Sequence, residues 1–213
     1  MDAVELAERH PHLWHMAEVE NWELIQDRGL LSTSALLDLF EYKGTGREEI
    51  EAAYRASSVA VEHPKLGKAT IRDQGPMHSD AVVARFLDDL TPAEWYRTLN
   101  SRVFFWLTEE RLERLLGAGA YRSRPHMVLK LDTAALLERH LEQVTLSPIN
   151  SGAIFPGGRT RRGPQTFSRF EDYPWGQRKG NRELVVELAV DGAVPDLEGI
   201  LLDATVRQAS GTS

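Results

Sequence analysis

The stretch Leu184-Val185-Val186-Glu187-Leu188-Ala189-Val190 reads as a buried β-strand with one carboxylate set into it. Alternation places Val186, Leu188 and Val190 on one face and Val185, Glu187 and Ala189 on the other. A carboxylate among small apolar neighbours is costly to bury unless a partner, or a ligand in a cleft, meets it. The alternative is an acid at a sheet edge or facing water, and this segment by itself leaves both open. Immediately upstream, residues 156–182 are rich in Gly, Pro, Arg and aromatics. There Arg159, Arg161, Arg162, Arg169, Arg178, Lys179 and Arg182 stand against Glu171 and Asp172, a net charge of +5 in a chain whose total is −7. The remainder therefore carries −12. An acidic body with one basic segment argues against general coating of nucleic acid and for one local anion-facing surface.

A chain of 213 residues is long enough for one domain with a substantial core. No apolar run approaches the roughly 20 residues of a membrane span. The opening Met-Asp-Ala-Val-Glu-Leu lacks the basic-then-apolar layout of a signal peptide, so a cytoplasmic location is expected, with no membrane partner. The absence of cysteine excludes a disulfide framework, a thiolate metal site and a cysteine nucleophile.

Helices are predicted over 18–28, with Gly29 as the stop, over 34–40 capped by Ser34, and over 48–56. Residues 59–61 and 69–71 form a predicted hairpin around His63-Pro64-Lys65-Leu66-Gly67. Thr91-Pro92-Ala93-Glu94 combines a capping box with proline at the first helical position, starting a helix that runs to about Leu99. A strand over 102–107 leads to a helix capped by Thr108, a strand over 126–131 to a helix from Thr133. Strands over 144–146 and near 165–170, 183–190 and 200–206 complete the chain. Helices early and strands late indicate an α+β fold with a mixed sheet, in a single domain over 1–213.

Three further places carry candidate chemistry. His15, in Leu13-Trp14-His15-Met16, sits on a short strand, where imidazole can donate to or accept from a ligand; a core histidine with a backbone partner is the plainer reading. His10, His12 and His15 lack a nearby acid, and Pro11 interrupts them, so no metal site is expected. In Arg102-Val103-Phe104-Phe105-Trp106, consecutive rings on a strand point to both faces, and one beside a cleft can stack on a planar heterocycle. The polar turn Ser147-Pro148-Ile149-Asn150-Ser151-Gly152 offers groups for a phosphate or a carboxamide. No Walker loop, GxGxxG fingerprint or GxSxG elbow is present.

Taken in order, these pieces resemble the ADP-ribosyltransferase superfamily, in particular the DarT-type enzymes that modify DNA. The stretch from Val186 to Pro195 is similar to their late strand, which aligns Glu187, rather than Glu183, with the catalytic glutamate. Trp14-His15-Met16, followed by a helix and Gly29-Leu30-Leu31-Ser32-Thr33, is similar to their first NAD-binding motif. Val103-Phe104-Phe105-Trp106 is similar to their middle aromatic strand, with phenylalanine where many relatives carry tyrosine. Over most of its length the chain looks closer still to a bacterial family of unknown function, through Ile71-Arg72-Asp73-Gln74 and the residues 100–106. The resemblance implies a split sheet that binds NAD as substrate, without metal. His15 and Ser32 would hold the nicotinamide-side ribose, Phe104 or Phe105 the nicotinamide, Arg72 or Arg102 the phosphates, and Thr33 and Asn150 further parts of the cofactor.

The same resemblance assigns the loop before Glu187 to the acceptor. Arg159, Arg161, Arg162, Arg169 and Trp175 then suit a nucleic acid, DNA or RNA, with a protein as the other possibility. It leaves open an antitoxin or hydrolase partner. The competing readings are a non-catalytic NAD- or nucleotide-binding regulatory module and an RNA 2′-phosphotransferase-like activity.

Overall fold

The computed structural model describes residues 1–75, 77–155, 157–175 and 185–209. Its elements, in chain order, are α1 (Ala3–Arg9), β1 (His12–Ala17), α2 (Trp22–Arg28), β2 (Leu30–Leu31), α3 (Thr33–Leu39) and α4 (Gly44–Glu51). Next come β3 (Val59–His63), β4 (Gly67–Ile71), α5 (Asp80–Ala84), α6 (Pro92–Asn100), β5 (Arg102–Trp106) and α7 (Glu109–Leu116). The remainder is β6 (His126–Asp132), α8 (Thr133–His140), β7 (Val144–Ser147), β8 (Ser168–Arg169), β9 (Glu187–Asp191), β10 (Ala193–Val194) and β11 (Leu201–Arg207). Among the described residues, no helix is long and apolar enough to cross a membrane.

The fold is α+β. Seven strands form one sheet in the order β11-β6-β1-β5-β9-β7-β8. Every ladder in it is antiparallel, which corrects the expected mixed sheet. The strands joined through α7 (β5 and β6) and through α8 (β6 and β7) do run parallel, but none of these pairs are neighbours, and the strands between them make every ladder antiparallel. The joint in the middle is thin: β1 and β5 share one registered pair, Trp14 with Trp106. On either side the pairing is continuous, β1 with β6 from His12 to Ala17 and β5 with β9 from Arg102 to Trp106. The sheet is thus two half-sheets meeting at one rung.

Alternation sorts the strand residues. Leu13, Val103, Phe105, Leu129, Leu131, Leu146, Leu188 and Val190 pack with Leu6 of α1, Ile25 of α2 and Leu136 and Leu137 of α8 in the main core. Leu112 and Leu116 of α7 pack against Met16 and Val128 in a separate cluster with Tyr121. A third cluster joins α3, α4 and the β3–β4 hairpin, and a fourth joins α5 and α6 with Phe167.

Local signals fixed several boundaries. The Thr91/Glu94 capping box forms as expected, with both reciprocal hydrogen bonds in place. Others moved. The helix expected over 18–28 begins at Trp22, preceded by a 3-10 turn at Val19–Asn21, and Glu18 is buried instead of opening a solvated first turn. Ser32, not Ser34, caps α3 through its bond from the Ala35 N–H. Thr108 forms no side-chain cap. The helix expected over 48–56 runs from Gly44 to Glu51, and the strand near 165–170 reduces to Ser168–Arg169. Helices α1 and α5 and the β2–β10 pair were not expected. Glu183, Arg178, Lys179 and Arg182 lie outside the described residues.

Candidate functional site

Beside the single-rung joint lies a cavity of about 360 Å³. From β5, Arg102, Val103, Phe104 and Trp106 line it, whereas Phe105 is 1% exposed in the main core. From β1 come Trp14 and His15, from the turn into α3 Ser32 and Thr33, from the end of the hairpin Arg72, and from the far half-sheet Asn150 and Glu187. Seven of the eight residues expected to hold a cofactor, and the expected catalytic carboxylate, therefore share one cavity. Phe105 is the exception.

Glu187 opens β9, paired on one side with Trp106 and on the other with Ser147. It is 4% exposed. Its Oε2 accepts a hydrogen bond from the Ser151 N–H at 3.1 Å. Burial pushes its pKa up to about 7, against the lowering effects of the Ser151 hydroxyl and N–H and of the Arg111 and Arg162 charges. Among the described residues no ion pair within 4.0 Å engages this carboxylate.

His15 stitches the two half-sheets. Its Nδ1 lies 2.9 Å from the Phe104 carbonyl, which can only accept, so Nδ1 carries the proton and Nε2 is the acceptor of the neutral ring. Burial holds its pKa down at about 4, so the ring is neutral at physiological pH. Ser32 already accepts from the Ala35 N–H at 3.1 Å.

The cavity's arginines are anchored to different degrees. Arg102 meets Asp191 at 3.0 Å and stacks its guanidinium 4.6 Å above the Phe167 ring. Arg72 donates to Glu18 at 2.9 Å and to the Met16 carbonyl at 2.5 Å. A third, Arg55, went unnoticed in the sequence. It is 7% exposed and donates to the carbonyls of Ile50 and Arg72 and to the Asn100 side chain. Burial lowers its pKa to about 10, so it remains a cation in the cavity wall. Nothing in the spacing around Arg55 announced this, because its partners lie up to 45 positions away.

The basic segment is organised differently from the expectation of a presenting loop. Arg162 is buried, and its guanidinium donates to the carbonyls of Asn150, Ser151, Ala153 and Thr160. Arg161 binds Asp88 and the carbonyls of Arg85 and Leu87, and Arg169 binds Asp191 at 2.8 Å. Trp175 packs on Phe170 and Tyr173 and donates to the Phe170 carbonyl. Arg159 alone of these is exposed without a hydrogen bond or ion pair among the described residues. Near it is a second cavity of about 260 Å³, lined in part by Thr160, Arg111, Arg162 and Val186 and sharing Asn150 with the first. Phe155, 72% exposed, stands at its edge. Among the described residues, no group of three or more His, Asp or Glu side chains is placed to hold a metal ion.

A family model matches residues 11–201, nearly the whole chain. The chain belongs to DUF7002, a family of unknown function. No curated protein matches it. In this DUF7002 protein the matched span contains every cavity residue described above.

Proposed function

We propose that this DUF7002 protein is an NAD-dependent ADP-ribosyltransferase with Glu187 as its catalytic carboxylate. The observation that carries the reading is the convergence of Glu187, His15, Phe104, Arg72 and Arg102 on one cavity at the joint of a split sheet. The residues suit NAD. The cavity falls within the size range of small-molecule sites. Three arginines answer a diphosphate, the Phe104 ring offers a face for nicotinamide, and His15 Nε2 accepts from a ribose hydroxyl. NAD supplies a ribose whose bond to nicotinamide breaks with both electrons leaving on the nicotinamide nitrogen, so positive charge develops at C1′. Glu187, fixed on β9, stabilises that charge and takes the proton of the acceptor nucleophile as it bonds to C1′.

For the acceptor, the second cavity on the Asn150 side of Glu187 is the natural seat. Exposed Phe155 and Arg159, which has no partner among the described residues, favour an unstacked base and its phosphate, hence single-stranded nucleic acid. The test is incubation with NAD and candidate nucleic acids, following nicotinamide release and a mass adduct. Glu187→Gln is expected to lose product while retaining NAD binding. Product formed at the wild-type rate by that variant would refute the assignment.

The cluster of Arg55, Arg72 and Arg102 also fits transfer of a 2′-phosphate from RNA to NAD, where basic residues rather than a glutamate carry the chemistry. Formation of ADP-ribose cyclic phosphate from 2′-phosphorylated RNA, unaffected by Glu187→Gln, would select that reading.

A further inference from the structure

Arg72 is held by a buried charge network that extends outside the cavity. Glu18, 3% exposed, accepts from Arg72 Nε at 2.9 Å through Oε1. The same carboxylate accepts from Arg124 Nη1 at 2.7 Å through Oε2 and from Arg124 Nη2 at 3.3 Å through Oε1. Arg124 Nη2 also lies 3.7 Å from Asp73, which accepts from the Tyr121 hydroxyl at 3.0 Å. Both guanidiniums sit over the Tyr121 ring, at 5.5 Å for Arg72 and 5.9 Å for Arg124. Arg72 lines the cavity and Arg124 does not.

Two features of this arrangement matter. First, Arg72 uses Nε on Glu18 and Nη2 on the Met16 carbonyl, which leaves Nη1 without a hydrogen bond among the described residues. Second, the charges do not cancel. Arg55, whose Nε grips the Arg72 carbonyl at 3.2 Å, joins Arg72 and Arg124 against only Glu18 and Asp73. This network, which reaches behind the cavity through Arg124, keeps one positive charge in excess. If Glu18 faced Arg72 alone, the pair would be closed and that charge largely neutralised. Sharing Glu18 with Arg124 fixes the direction of Arg72 while leaving its charge for a ligand.

We propose that Arg124 is a positioning residue for the cavity: through Glu18 it aims Arg72 at a diphosphate-class anion without touching that anion itself. This rests on the reading of the cavity as a dinucleotide site, but inorganic diphosphate serves as a probe that does not depend on it.

The experiment titrates inorganic diphosphate and ADP-ribose into the full chain by calorimetry, with thermal midpoints measured in parallel. Arg124→Met is expected to weaken both ligands by about tenfold, the size of one lost charge-assisted interaction. Arg124→Lys is expected to restore most of the affinity, and it gives the comparison if the methionine variant loses stability. In an Arg72→Met background, Arg124→Met is expected to change nothing further, because its effect passes through Arg72. Wild-type affinity in Arg124→Met, or a loss that simply adds to that of Arg72→Met, overturns the assignment. A wild-type protein that binds diphosphate but not NAD, with the Arg124 effect intact, removes the transferase reading and leaves this one standing. NAD binding that is indifferent to Arg124 does the reverse.

Discussion

Replacing Glu187 by glutamine is expected to make the protein more stable, and only above acid pH. An unfolded glutamate titrates near its ordinary 4.5, whereas burial places the folded one at about 7. The folded state therefore binds more protons between those values, and stability falls as pH rises through the window. Below 4.5 the group is neutral in both states and costs nothing; above 7 the full cost is present. A displacement of that size corresponds to about 3 kcal/mol. Glutamine keeps an oxygen for the Ser151 N–H but carries no charge, so the cost disappears. His15 contributes in the opposite sense, since its pKa is held at about 4 and its share is lost as pH falls below 6.5. That contribution is common to both proteins and cancels in the difference. Urea unfolding of the two proteins at pH 5 and at pH 8 reads the effect directly: a variant more stable by only about 1 kcal/mol at the lower pH, and by about 3 kcal/mol at the higher. Identical stability differences at the two pH values would refute the claim that Glu187 is buried as an uncompensated carboxylate. A destabilised variant at pH 8 would refute it more strongly.

Other outcomes follow from the same geometry. If ionised Glu187 is the working form, kcat/KM for NAD rises with pH through about 7 and levels off above it, and a pH-independent profile would detach the residue from the rate. Arg162→Met leaves four loop carbonyls without their donor, and is expected to cost about 3 kcal/mol in chemical unfolding while moving the rate profile to higher pH, since Arg162 favours the charged form of Glu187. Gly29→Ala is expected to destabilise by at least about 2 kcal/mol. Its φ is +74°, and the added Cβ would lie 2.1 Å from the Val194 carbonyl oxygen, a backbone atom that β10 holds in place.

Part of the site was legible because side chains alternate along a strand, although the cavity at the joint also takes consecutive residues of β1 and β5. A period of two forces Phe104 and Phe105 to opposite faces, and burial of the apolar partners settles which one reaches the cavity. The same logic marked Glu187 as a carboxylate with apolar neighbours. In the basic segment, composition cannot tell a cation that meets a ligand from one that meets carbonyls. Arg162 is surrounded by carbonyls of its own loop, a local closure with no periodic signature. Glu18, Arg55 and Arg124 were missed for a related reason. They lie at element ends or in loops, and apart from the Ile50 carbonyl five positions from Arg55 their partners lie far off in sequence, up to 106 positions. A mixed sheet is expected where helices close crossovers, and α7 and α8 do join parallel strands, but which strands then lie side by side is set by tertiary placement that local sequence does not encode.

The single rung between Trp14 and Trp106 has a mechanical consequence. Elsewhere a load across the sheet is shared by several parallel bonds, but here it falls on that rung and on the His15 clasp to the Phe104 carbonyl. A molecule that grips Arg72 on one lip and Glu187 on the other acts as a rivet across a seam. Its affinity is then tied to how far the two plates stand apart, so substitutions deep in either plate, remote from any ligand atom, register at the seam as a change of gap.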